Sequence, residues 1–119
     1  MRRVIFLMTG LMILILSGCS NYEYPNDCPE GLRGVSYQAN IQGPIFNSKC
    51  ITCHSGNRAP DLSNGWSYDE LMNGFVDTDD PCASRLYEAL FLSAHNDVGI
   101  VEEDELTILG WIQDGAQDN

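Results

Sequence analysis

The string Cys50-Ile51-Thr52-Cys53-His54 constrains this chain more than any other stretch of it. Two thiols three residues apart, with an imidazole directly after the second, have the spacing of covalent haem attachment. At the end of a helix such thiols reach the two vinyl groups of one haem, and the adjoining imidazole binds the iron as proximal ligand. Shuffling 5 Cys and 2 His through 119 residues would yield about 0.004 such strings, so coincidence is a poor account. The competing reading is a reactive or zinc-binding C-x-x-C pair with an incidental His. Zinc needs about four ligands, and a cytosolic redox pair expects a βαβ pattern that this sequence lacks. The expected cofactor is therefore one covalent haem c, held by Cys50, Cys53 and His54.

Arg2 and Arg3 precede an apolar run from Val4 to Leu16, broken only by Thr9 and Gly10. Basic residues, a short apolar run and small residues before a cleavage point read as a secretory signal over residues 1–18. The run is too short for a comfortable transmembrane helix, which needs about 20 apolar residues. Leu16-Ser17-Gly18-Cys19 also resembles the bacterial lipobox, which implies that Cys19 carries lipid and becomes the new N-terminus. An uncleaved anchor, or a plain signal peptide with an ordinary Cys, is the alternative. Ser20 after the lipidated position implies outer-membrane sorting by the same resemblance, on the periplasmic side or at the cell surface. Several acyl chains would hold the protein stably on a bilayer, since each buried CH₂ contributes about 0.8 kcal/mol.

Without the leader the chain keeps 4 basic and 17 acidic side chains, because Arg2 and Arg3 leave and no acid does. Such a surface disfavours nucleic acid as a partner. It would instead be steered toward a basic face on a redox protein, although solubility alone is a sufficient reason for the charge. About 100 mature residues make one small domain with a modest core, to which a buried haem would add.

With Cys19 assigned to lipid and Cys50 and Cys53 to haem, Cys28 and Cys82 remain. In an oxidising compartment they most simply form one disulfide, and two unpaired thiols are the alternative.

Residues 19–34 hold Pro25, Pro29, Gly31 and Gly34 with little apolar periodicity, and read as a lipidated tether. Residues 35–119 form the domain. Pro44 suits a first helical turn, so a short helix is expected from Pro44 into Cys53. Ser67-Tyr68-Asp69-Glu70 has the form of a capping box, opening a second helix that carries Leu71 and Met72. Asp80-Pro81 predicts a third, with Ala83, Leu86, Tyr87, Leu90 and Phe91 on one apolar stripe. Asp77, Asp79 and Asp80 lack the glycine and distal Glu of an EF-hand loop and read as a solvated helix start. Glu102 to Glu105 oppose a helix dipole favourably, Leu106, Leu109 and Ile112 follow, and Gly115 suits the stop. The expected fold class is all-α: about four short helices around one covalent haem.

The stretch from Val35 to Ala116 resembles the small single-haem cytochrome c domain, particularly its planctomycete-type and Bacteroidetes-type lipoprotein versions. The matching residues are Val35-Ser36-Tyr37, Ile41-Gln42, Pro44-Ile45-Phe46, Cys50 to His54 and Asp61-Leu62-Ser63. They continue through Pro81, Ser84-Arg85-Leu86-Tyr87 and Trp111 to Ala116. The resemblance implies thioethers at Cys50 and Cys53, His54 as proximal ligand, and Pro60 as the residue whose carbonyl orients that imidazole, with Leu62 beside the haem. At the sixth ligand the chain departs from the pattern. The family usually carries Met-Pro before the last helix, and Ser93 to Ile100 contains no Met. Met72 reads as a core side chain and is the weaker candidate for the distal iron ligand. His95 lies in the right loop and is the stronger one.

These features predict a membrane-anchored c-type cytochrome that carries single electrons in the cell envelope and is not an enzyme; no catalytic constellation stands out. Two alternatives stay open. One is a haem-based sensor with a labile or open sixth position; the other is an accessory haem subunit of a larger surface redox complex, whose partner would come from another chain.

Overall fold

Ser36 opens the first helix. Its hydroxyl accepts the Ala39 backbone N–H at 3.3 Å, while Asn40 Oδ1 accepts the Ser36 N–H at 2.8 Å, a reciprocal cap. The computed structural model describes residues 27–119, so the leader, Cys19 and the start of the tether lie outside the described residues. Within that range the elements are α1, a wide-turned helix of π type at Tyr37–Cys50; α2 at Ser67–Met72; α3 at Arg85–Ala89; and α4 at Glu102–Gln113. Short 3₁₀ turns occupy Pro81–Ala83 and Ser93–His95, and no strand occurs among the described residues.

The expected first helix therefore begins seven residues early and stops before Cys53. In an ordinary α-helix Pro44 would lose a hydrogen bond and press its ring on the carbonyl of residue 40. Wider turns accommodate it, as in the Ile51 N–H to Phe46 carbonyl bond of 2.9 Å, which spans five residues. Tyr37, Ile41, Ile45 and Phe46 leave this helix on its buried side and meet Leu71, Leu86, Ile108, Leu109, Trp111 and Ile112. Tyr37 stacks against Trp111 with ring centroids 5.0 Å apart.

Ser67 does not cap α2. It is the first helical residue and fully buried, where it accepts the Tyr37 hydroxyl at 2.7 Å and donates to Gln42 Oε1. Gln42 Nε2 in turn donates to the Leu62 carbonyl at 3.0 Å. A hydrogen-bonded core network thus competes for the side chain that a local cap would use.

The third helix is interrupted. Buried Ser84 donates to the Asp77 carbonyl at 3.1 Å and accepts the Asp77 N–H at 2.9 Å, so the chain bends there and α3 starts only at Arg85, running to Ala89. Asp77 Oδ1 accepts the N–H groups of Asp79 and Asp80, making a turn rather than a helix start. Leu86 and Tyr87 are buried as the stripe predicts, whereas Phe91, beyond the end of α3, is 56% exposed.

Acids fill the first turn of α4, and Asp104 Oδ2 accepts the Val101 N–H at 2.9 Å. Gly115, at φ +98°, ends the helix, and the Ala116 N–H returns to the Trp111 carbonyl at 2.9 Å.

The end of the expected tether is not a free linker. Gly31 is buried against Gly110 of α4, and a Cβ on Gly110 would sit 1.9 Å from the Leu32 carbonyl oxygen. The Leu32 N–H bonds the Leu106 carbonyl at 2.9 Å, and the Gly31 N–H bonds Gln113 Oε1 at 2.8 Å. Cys28 and Cys82 lie at disulfide distance, their Cα atoms 5.8 Å apart. Among the described residues no helix is long and apolar enough to cross a membrane.

Candidate functional site

The Cys50–His54 string leaves α1 through a tight turn. The N–H groups of Cys53 and His54 both bond the Cys50 carbonyl, at 3.1 and 3.0 Å. The Leu62 N–H then bonds the His54 carbonyl at 2.8 Å, which closes the loop between them. Together with Gln42, whose side chain holds the Leu62 carbonyl, these bonds set both ends of that loop. They direct Cys50, Cys53, His54, Pro60 and Leu62 toward one cavity of about 440 Å³. Its size is that of a cleft for a small ligand or prosthetic group. Phe46, Phe75, Leu86, Leu90, Leu92 and Ile100 give it mainly apolar walls.

His54 Nδ1 lies 3.1 Å from the Pro60 carbonyl oxygen, and His95 Nδ1 lies 2.5 Å from the Ala89 carbonyl oxygen. A carbonyl only accepts, so in each neutral ring Nδ1 carries the proton and Nε2 presents its lone pair. Both imidazoles line the cavity, with ring centroids 6.2 Å apart and planes tilted by 39°. The turn at Ser93–His95, anchored by the His95 N–H to Leu92 carbonyl bond of 2.8 Å, delivers the second ring.

Met72 takes no part. The expectation of a core side chain is corrected as well: α2 turns Leu71 fully inward and leaves Met72 41% exposed, away from the cavity lining. Neighbouring helical positions point about 100° apart, so burying one exposes the next.

Burial pushes the Cys50 thiol up to about 11, with nearby Asp104 adding to the rise and Lys49 opposing it. A cysteine that acts as a thiolate nucleophile needs the opposite environment. Cys53 is exposed. Lys49 Nζ bonds Asp104 Oδ2 at 2.5 Å and so ties the end of α1 to the start of α4.

Several lining residues carry no signal in the sequence. Ala89 contributes its carbonyl, a backbone group that no side-chain pattern announces. Arg58, Arg85 and Glu88 also line the cavity. Their charge could have been noted, but their convergence is a matter of tertiary structure.

The donor set can be tested against possible occupants. Two imidazole nitrogens are too few for a bare metal ion, and among the described residues no group of three or more His, Cys, Asp or Glu side chains converges to hold one. A tetrapyrrole brings most of its metal's donors with it, and the two Nε2 lone pairs would be enough to complete the set. Compared with family models, curated proteins and solved structures, the chain matches none.

Proposed function

We propose that this chain is a membrane-anchored monohaem c-type cytochrome that carries single electrons in the cell envelope. In this reading Cys50 and Cys53 would hold one haem c through thioethers, and His54 and His95 would bind its iron. The observation that carries it is the His54–His95 pair: ring centroids 6.2 Å apart, with each Nδ1 turned to a carbonyl. A centroid separation of about 6 Å suits two imidazoles that would hold one metal ion between them. The attachment string beside the same cavity supports the same group.

Each thiol would add across one vinyl double bond, sulfur to one carbon and its hydrogen to the other, with no net oxidation. The Pro60 and Ala89 carbonyls orient the two rings. When bound, the haem supplies a one-electron couple, and two imidazoles set it lower than a Met ligand would. The apolar walls keep water from the metal. The acidic surface favours a partner with a basic docking face. An N-terminal lipid at Cys19 would hold the domain at the outer membrane.

The test begins with the protein isolated from membranes. Haem that stays with the chain through a denaturing gel, and is lost in Cys50→Ala/Cys53→Ala, is expected; no retained haem defeats the proposal. Electron paramagnetic resonance should show a low-spin ferric signal in the wild type that turns high-spin in His95→Ala. An unchanged low-spin signal removes His95 as ligand. Rapid stoichiometric carbon monoxide binding by the reduced wild type would favour the sensor reading.

A further inference from the structure

The chain is strongly acidic, yet its few cations are placed unevenly. Arg33, Lys49, Arg58 and Arg85 are the Lys and Arg side chains of the described residues, against sixteen Asp and Glu. Three of these four cations line the cavity, and of the acids only Glu88 does. Twenty of 93 described residues form that lining, so an even draw would place about one cation and about three acids there.

Pairing sharpens the contrast. Arg33 bonds Glu30 and Asp114, both at 2.9 Å, and Lys49 bonds Asp104. Among the described residues, no carboxylate lies within ion-pair distance of Arg58 or Arg85. Glu88 stands three residues after Arg85, a helical spacing at which pairs commonly form, and is still not its partner. Arg85 instead lies over the Phe75 ring at 4.6 Å, on a residue that itself lines the cavity. In a chain with acids to spare, two guanidinium groups without carboxylates border the same apolar cavity. Planar forks of five donors match carboxylates in two-point contacts, and beside an apolar wall such contacts are stronger than in water.

We propose that Arg58 and Arg85 form a carboxylate-binding subsite in the cavity lining, which takes the two propionate groups of the haem. This rests on the haem reading above. Arg58 follows the attachment string by four residues, and Arg85 opens α3, whose last residue Ala89 holds His95. The subsite therefore joins the segments that carry the two axial ligands. Lys49, already paired with Asp104, contributes positive potential and not a free fork.

Resonance Raman spectroscopy of the haem-loaded chain tests this, because the propionate bending band moves when the carboxylates change hydrogen-bond partners. Arg58→Gln and Arg85→Gln should each shift the band and the double variant should shift it most. Arg33→Gln, which removes a cation outside the cavity, should leave it in place. Arg58→Lys/Arg85→Lys keeps the charge and loses the fork, so it should also shift the band; it is the variant to read if the Gln forms do not fold. A wild-type band in both double variants overturns the subsite and leaves the cytochrome reading intact. A wild-type chain that takes up no haem overturns both.

Discussion

Asp104 supports three interactions at once, and its removal gives the sharpest energetic test of how the site is held. It accepts the Val101 N–H at the start of α4, opposes the α4 dipole and bonds Lys49, the residue before Cys50. Losing an N-terminal acceptor costs about 1 kcal/mol, and losing one first-turn charge about 0.5 kcal/mol while Glu102, Glu103 and Glu105 remain. The ion pair is neither exposed nor dry, with side chains 24% and 14% exposed. Its worth should fall between the 0–1 kcal/mol or so of a surface pair and the roughly 3–5 kcal/mol cost of breaking a buried one. Asp104→Ala should therefore destabilise the protein by about 3 kcal/mol, read from urea unfolding followed by circular dichroism. A double-mutant cycle with Lys49→Met should return a coupling of about 1.5 kcal/mol. The Arg33–Asp114 pair, at 65% and 35% exposure, is the control and should couple by less than about 0.5 kcal/mol. A Lys49–Asp104 coupling no larger than the control would refute the view that this pair fastens the end of α1 to α4.

Three further outcomes follow from the packing and the titrating groups. Gly110→Ala should cost about 2 kcal/mol despite the better helix propensity of Ala, because the added carbon meets the Leu32 carbonyl; equal or higher stability in urea would disprove the close crossing. Burial raises Tyr37 from 10.0 to about 12, so the folded state favours the neutral phenol. That stability is whole below pH 10 and lost as pH rises through 12, by about 2 kcal/mol; Tyr37→Phe should flatten this part of the urea-midpoint curve, leaving the smaller contribution of Tyr87, also raised by burial. With both thiols free, iodoacetamide at pH 8 should label exposed Cys53 at least tenfold faster than Cys50, whose thiol burial holds at about 11; equal rates by mass spectrometry would show that Cys50 is not shielded.

The helical class was legible because its signals are local. The acidic run at Glu102–Glu105 and the stop at Gly115 bracket α4 as the sequence predicts, and both act within a turn of where they stand. Cys28 and Cys82 were paired by counting alone, and they lie at disulfide distance. Where local signals met long-range competitors, they lost. Ser67 left its cap for Gln42 and Tyr37, Ser84 broke the third helix by binding the Asp77 backbone, and Met72 was turned outward so that Leu71 could be buried.

The sequence by itself determined that two thiols and an imidazole stand within five consecutive residues, that the chain around them is helical and acidic, and that a single further His lies in the loop before the last helix. Only the tertiary structure decided that this His reaches the first one, 6.2 Å away between ring centroids, and that a carbonyl from α3 turns its ring. The same holds for Arg58 and Arg85, 27 positions apart and both lining one cavity. Covalent spacing is written in adjacent residues, whereas coordination and charge pairing depend on distances that close only when α1, α3 and α4 pack on a shared core.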